Sequence, residues 1–180
     1  MKKKYSKLLS LALLGHLGLM SGFALADDVR FDGTLVEDAC EVYSGDESIE
    51  LDFGTVVDKY LYLNTRTHSQ PFTIRLINCD LALGKDVQVT FTGTESKTLP
   101  GLLALDTASQ AKGIAVGLET IDGVPIKLNK AKDYLQALHA GNGNNLKLQA
   151  YIQGEPTALQ AQNIVLGKFV ATSTFMLEYE

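Results

Sequence analysis

Several short stretches of this chain alternate apolar and polar residues with a period of two. In "LKLQAYI", Leu146, Leu148, Ala150 and Ile152 share one side, and Lys147, Gln149 and Tyr151 share the other. In "VQVTF", Val87, Val89 and Phe91 alternate with Gln88 and Thr90, and in "IAVGLET", Ile114, Val116 and Leu118 fall together. "IELDFG" sets Ile49, Leu51 and Phe53 in one register, and "FTIRLIN" before Cys79 is rich in β-formers. A side chain that returns to the same face every second residue is a property of extended backbone, so these stretches predict strands with one buried face.

Turn-forming residues separate them: "GDES", "TGTES", "LPG", "IDGVP" and "GNGNN". The last superficially resembles a phosphate-binding loop. Such a loop needs a strand before it and a helix after it, and here a strand follows, so the segment reads as a turn. Only "NKAKDYLQALH" could be helical, and it reads equally as a loop followed by a short strand. Short strands at regular spacing predict an all-β sandwich of the immunoglobulin kind.

Residues 1–26 stand apart. A basic start, "MKKKYSK", precedes an uncharged apolar run ending "ALA", the pattern of a secretory signal peptide cut after Ala26. Its removal takes four lysines and no acid, leaving twelve basic residues against 21 acidic ones in residues 27–180. That balance argues against nucleic-acid binding, which needs a cationic face, and against electrostatic docking to anionic membranes. The two cysteines, Cys40 and Cys79, in a chain marked for export are expected to form one structural disulfide.

Signals for catalysis are weak. No HExxH, GxSxG or calcium-loop spacing occurs. His68 sits in the polar "TRTHSQ", and His139 reads as a surface residue. The acid-rich "EVYSGDESIELD" lacks EF-hand spacing and reads as a solvated loop. No catalytic residue, cofactor or metal is expected.

Both ends carry strand patterns. "VRFDGTLVEDAC" puts Val29, Phe31, Gly33 and Leu35 in one register. In the closing "FVATSTFMLEYE", Phe169, Ala171, Ser173, Phe175, Leu177 and Tyr179 share one parity. With the Cys40/Cys79 pair, "PFTIRLINC", "AYIQGEP", Gly167 fourteenth from the end and Tyr179 penultimate, the chain resembles the pilin subunits of chaperone–usher fimbriae.

The resemblance implies an incomplete immunoglobulin-like sandwich that lacks its last strand. It divides the chain into a signal peptide (1–26), an N-terminal donor-strand extension (27–36) and a pilin domain (37–180). It implies that Val29, Phe31, Gly33 and Leu35 enter a neighbour's groove. It also implies that Gly167, Phe169, Phe175, Leu177 and Tyr179 belong to the strand bordering this chain's own groove, where a chaperone docks. The implied partners are a periplasmic chaperone, an outer-membrane usher and neighbouring pilins, on the route to the bacterial surface. Only Asp27 and Asp28 precede Val29, and that short start is most similar to a minor or adaptor subunit of a P-pilus or type 1-like tip fibrillum. A major rod pilin, or a secreted carbohydrate-binding sandwich, is the alternative.

Overall fold

A computed structural model describes residues 37–180. Eight strands and two short helices follow in order: β1 (Glu41–Val42), α1 (Asp58–Asn64), β2 (Gln70–Ile77), β3 (Asp86–Thr92), β4 (Ile114–Thr120), β5 (Pro125–Ile126), β6 (Leu135–Ala137), β7 (Asn144–Gly154), α2 (Pro156–Ala161) and β8 (Thr174–Tyr179). They form two antiparallel sheets, one in the order β1-β2-β7-β4-β5 and the other β6-β3-β8.

β7 is the long central strand. It pairs with β2 from Gln70↔Ala150 to Leu76↔Asn144, and with β4 from Ile114↔Gly154 to Thr120↔Leu148. Its period-two face, Leu146, Leu148 and Ile152, meets Ile74 and Leu76 of β2 and Val87 and Val89 of β3 in the core. A disulfide joins Cys40 to Cys79, tying the segment before β1 to the end of β2. "GNGNN" is the expected turn. The Asn144 amide lies buried beneath it, accepting from the His139 N–H and donating to the His139 carbonyl, both at 2.7 Å.

The structure settles one open alternative and corrects three expectations. "NKAKDYLQALH" takes the loop-then-strand alternative, ending in β6. The helices lie elsewhere: α2 starts on Pro156, whose missing N–H costs nothing in a first turn, and α1 buries Leu61. "IELDFG" is not a strand: Ile49, Leu51 and Phe53 keep their alternation, half-buried between exposed neighbours, but no described strand pairs with them. Finally, the acidic loop is not simply solvated. Asp46 is 5 % exposed and accepts three hydrogen bonds from Arg75, one from its backbone N–H (2.7 Å) and two from its guanidinium (2.8 and 2.6 Å). Those bonds hold the Asp46 carboxyl below the usual carboxylate range.

The polar face of β7 is also covered. Tyr151 lies across Gly117 of β4, where a Cβ would come within 2.1 Å of the ring. The Arg66 guanidinium stacks 3.6 Å above the Tyr151 ring. Arg66 also donates to both oxygens of Glu119 (2.9 and 2.8 Å), which accepts from Ser69 as well (2.5 Å). Glu119 is 2 % exposed, so it can stay charged there only with these donors.

Two stability predictions follow from these links. Replacing Cys40 and Cys79 with Ser should lower unfolding free energy by roughly 3–4 kcal/mol, the chain-entropy value for a loop of this size; the urea midpoint reads it. Arg66→Met should cost about 2 kcal/mol at pH 7, less than for a fully buried pair because Arg66 is partly solvated. Bonds from Arg66 hold the Glu119 carboxyl below its ordinary 4.5. The stabilisation is therefore present above that value and fades as pH falls through the lowered one. Urea titrations at pH 7 and pH 3 should show the gap between wild type and variant narrowing at pH 3.

Candidate functional site

The final strand is paired on one side. β8 lies antiparallel to β3, from Val87↔Tyr179 to Thr92↔Thr174. Beyond it, Glu180 donates to the Asp86 carbonyl (3.0 Å) and accepts from the Asp86 N–H (3.1 Å), so these two residues form a hydrogen-bonded pair. Bonded and non-bonded pairs alternate in an antiparallel ladder. Glu178, Met176 and Thr174 are therefore the other bonded positions, and the N–H and C=O groups of Phe175, Leu177 and Tyr179 point away from β3. Among the described residues, no strand occupies that side.

Side chains show the same gap. From Phe169 to Glu180, odd-numbered residues are half-buried and even-numbered residues exposed, without a break. A completed sandwich would bury the odd set fully. Instead Phe175, Leu177 and Tyr179 line an open groove.

Two adjoining cavities make up this groove, and Phe175 and Glu47 line both. One, of about 740 Å³, is bordered by Cys40, Val42, Leu83, Leu177 and Tyr179. The other, of about 710 Å³, is walled by Ile49, Leu51 and Phe53 and floored by the core residues Phe91, Leu103 and Val116. Phe72 meets Phe91 edge-on at 6.3 Å in that floor, and Phe53 approaches Phe169 at 6.5 Å.

Local chemistry fixes the groove's ends. The Glu180 carbonyl accepts from the N–H groups of Lys85 and Asp86, at 2.7 and 3.1 Å. Gly84 permits that approach, since a Cβ there would lie 2.9 Å from the Tyr179 Cβ. The Tyr179 hydroxyl donates to the Cys40 carbonyl at 3.2 Å, and burial, helped by the charge of Asp38, raises its pKa. Gly167 has φ of +151°, and a Cβ would fall 2.6 Å from the Gln110 Cβ. It starts the run in which Val170 bonds to Asp106 and Ser109, carrying the chain to β8.

Phe169, Phe175, Leu177 and Tyr179 thus lie along one groove, but the strand expected from Gly167 onward begins only at Thr174, so Phe169 lies in the extended run before β8 and Gly167 at the bend before that. Val29, Phe31, Gly33 and Leu35 fall outside the described residues. Sequence reasoning missed the opposite wall, although Ile49, Leu51 and Phe53 had a visible period, and it missed the floor from β3 and β4. Among the described residues, no group of acids, histidines and cysteines is arranged to hold a metal. No described helix is long and apolar enough to cross a membrane.

The sequence profile described as "Fimbrial protein" matches residues 29–180. The chain belongs to the fimbrial protein family. It is 34 % identical over 172 residues to the fimbrial adapter PapK of Escherichia coli, covering 93 % of this chain and 96 % of PapK. It is 35 % identical over 182 residues to the major MR/P fimbria protein of Proteus mirabilis, covering 97 % and 99 %. In fold it is similar to the crystal structure of the P pilus rod subunit PapA, with TM-score 0.68 at 19 % identity, covering 79 % of this chain and all of that one. The protein is a pilin, a subunit of the fimbriae of chaperone–usher systems on the bacterial surface, where it assembles with neighbouring pilins.

The ladder makes a direct prediction for amide hydrogen exchange. The amides of Met176, Glu178 and Glu180 should be protected, and those of Phe175, Leu177 and Tyr179 should exchange quickly while the groove is empty. Occupation of the groove by a strand should protect the odd set and leave the even set unchanged.

Proposed function

We propose that this subunit polymerises by donor-strand exchange and serves as a minor or adaptor subunit. The single observation that carries the reading is the unpaired edge of β8 beside an apolar groove of matching period. An extended strand laid there would pair with the N–H and C=O groups of Phe175, Leu177 and Tyr179, and its alternate side chains would fill the groove. Strand addition to an open sheet edge is a general mode of recognition, and the chaperone–pilin system is a known instance of it.

In this reading residues 1–26 direct export, residues 27–36 are the donor strand and residues 37–180 are the acceptor domain. Val29, Phe31 and Leu35 enter the groove of a preceding subunit, and their burial is worth on the order of 5–9 kcal/mol before ordering costs. Gly33, in the same register, lets the strand lie close where the groove is shallow. A periplasmic chaperone fills this chain's groove until an outer-membrane usher brings the next donor. Without such an occupant, the open edge and apolar floor favour aggregation. The short segment before Val29 and the likeness to an adapter support the adaptor position, and the role is structural and assigns no catalytic group.

Deleting residues 27–35 should leave chaperone capture intact and abolish insertion into a preceding subunit, read by co-purification from periplasm and from sheared fibres. Removing residues 175–180 should instead abolish capture. Unchanged assembly in the first variant, or normal capture in the second, contradicts the reading. A chain that is a stable monomer without any added strand would favour a self-sufficient secreted binding module instead.

A further inference from the structure

The groove is apolar inside but acidic at its rim. Glu37, Asp38, Glu41 and Asp80 border the cavity at the Tyr179 end. Glu47 borders both cavities, and Glu50 the other. All six are exposed, and among the described residues no lysine or arginine lines either cavity. Two nearby cations are already engaged: Arg75 with Asp46 at 2.6 Å, and Lys132 with the Glu180 side chain at 3.5 Å.

The chain's own candidate donor, "DDVRFDGTL", carries Asp27, Asp28 and Asp32 against Arg30 alone. Placed with Val29, Phe31, Gly33 and Leu35 facing inward, it would turn Asp28 and Asp32 outward beside the rim, whichever way it ran. Asp27 shares the inward parity and would place a carboxylate in the groove itself. Like charges held within a Debye length of about 8 Å at physiological salt repel one another across the rim.

Resting on the groove's role as a strand acceptor, we propose that its acidic rim is a charge filter. It disfavours a second copy of this chain as donor and selects the extended strand of a different protein, one with apolar residues at the same period and lysine or arginine at the outward positions. Charge acts here on choice of partner, because opposing like charges discriminate more sharply than shared apolar contacts do. The filter would hold this subunit to a single place in a mixed fibre.

Competition between two capped nine-residue peptides tests this. One has the sequence of residues 27–35, and the other carries Asp27→Lys, Asp28→Lys and Asp32→Lys. The protein, expressed from its full-length sequence, is unfolded in denaturant and diluted into each peptide, and the soluble complex is quantified. The lysine peptide should be retained at least tenfold more strongly at 50 mM salt, and the gap should shrink several-fold at 1 M, where the screening length is about 3 Å. A scrambled peptide of the lysine composition should not be retained. Equal retention of the two peptides, or preference for the acidic one, would overturn the filter and leave the strand-acceptor reading standing. Retention of the scrambled peptide would reduce the effect to non-specific attraction and also overturn it. Failure of both peptides with a chain that refolds to a soluble monomer alone would overturn the acceptor reading, and the filter with it.

Discussion

The rest of the structure depends on one asymmetry: β8 bonds to β3 on one side and to no described strand on the other. Each unpaired N–H or C=O on such an edge must find a partner in water or in another chain. Because bonded positions alternate, the residues that present free backbone groups are the same ones whose side chains face the groove. Phe175, Leu177 and Tyr179 therefore offer hydrogen bonds sideways and apolar surface inward. A ligand that satisfies one set is led to satisfy the other.

The gap persists because the surrounding fold prevents its walls from closing. An apolar slot of this size would ordinarily collapse, since interiors pack densely. Here the wall opposite β8 is held back. Asp46, just before Ile49, Leu51 and Phe53, is pinned to β2 through the backbone and guanidinium of Arg75. At the other end Tyr179 is tied to the Cys40 carbonyl, and Cys40 to β2 through the disulfide with Cys79. Glu119, Arg66 and Tyr151 fix β4 against β7 on the far face, so these two strands under the groove cannot slide past each other to close it.

Strands with a partner on each side were readable from local pattern. β3, β4 and β7 lie within or close to the stretches that alternation marks, because one face of each meets the core, and β2 lies over the stretch marked by its β-formers. What period could not show is whether a strand has a neighbour. "IELDFG" and "FVATSTFMLEYE" alternate as cleanly as "LKLQAYI", yet the first pairs with no described strand and the second pairs on one side, as a strand only from Thr174. Pairing depends on a second segment, which a local pattern cannot reveal. The burial of Asp46 and Tyr151 was hidden for the same reason: their partners, Arg75 and Arg66, are 29 and 85 residues away. The short helices were missed because six or seven residues give too little periodicity, although Pro156 was a usable start signal.

The groove's geometry also restricts what can fill it. Its free backbone groups recur at every second residue of β8, a spacing of roughly 6.8 Å along an extended chain. A helix bonds its own backbone internally and rises only about 1.5 Å per residue, so it could neither pair with those groups nor match their interval. A small molecule could fill one cavity but would leave the edge unsatisfied. An extended strand alone supplies donors, acceptors and side chains at the same interval along the whole length. Period and backbone therefore specify the kind of ligand, while saying little about which chain provides it. That second choice falls to features outside the groove, and the acids along its rim are the part of the surface able to make it.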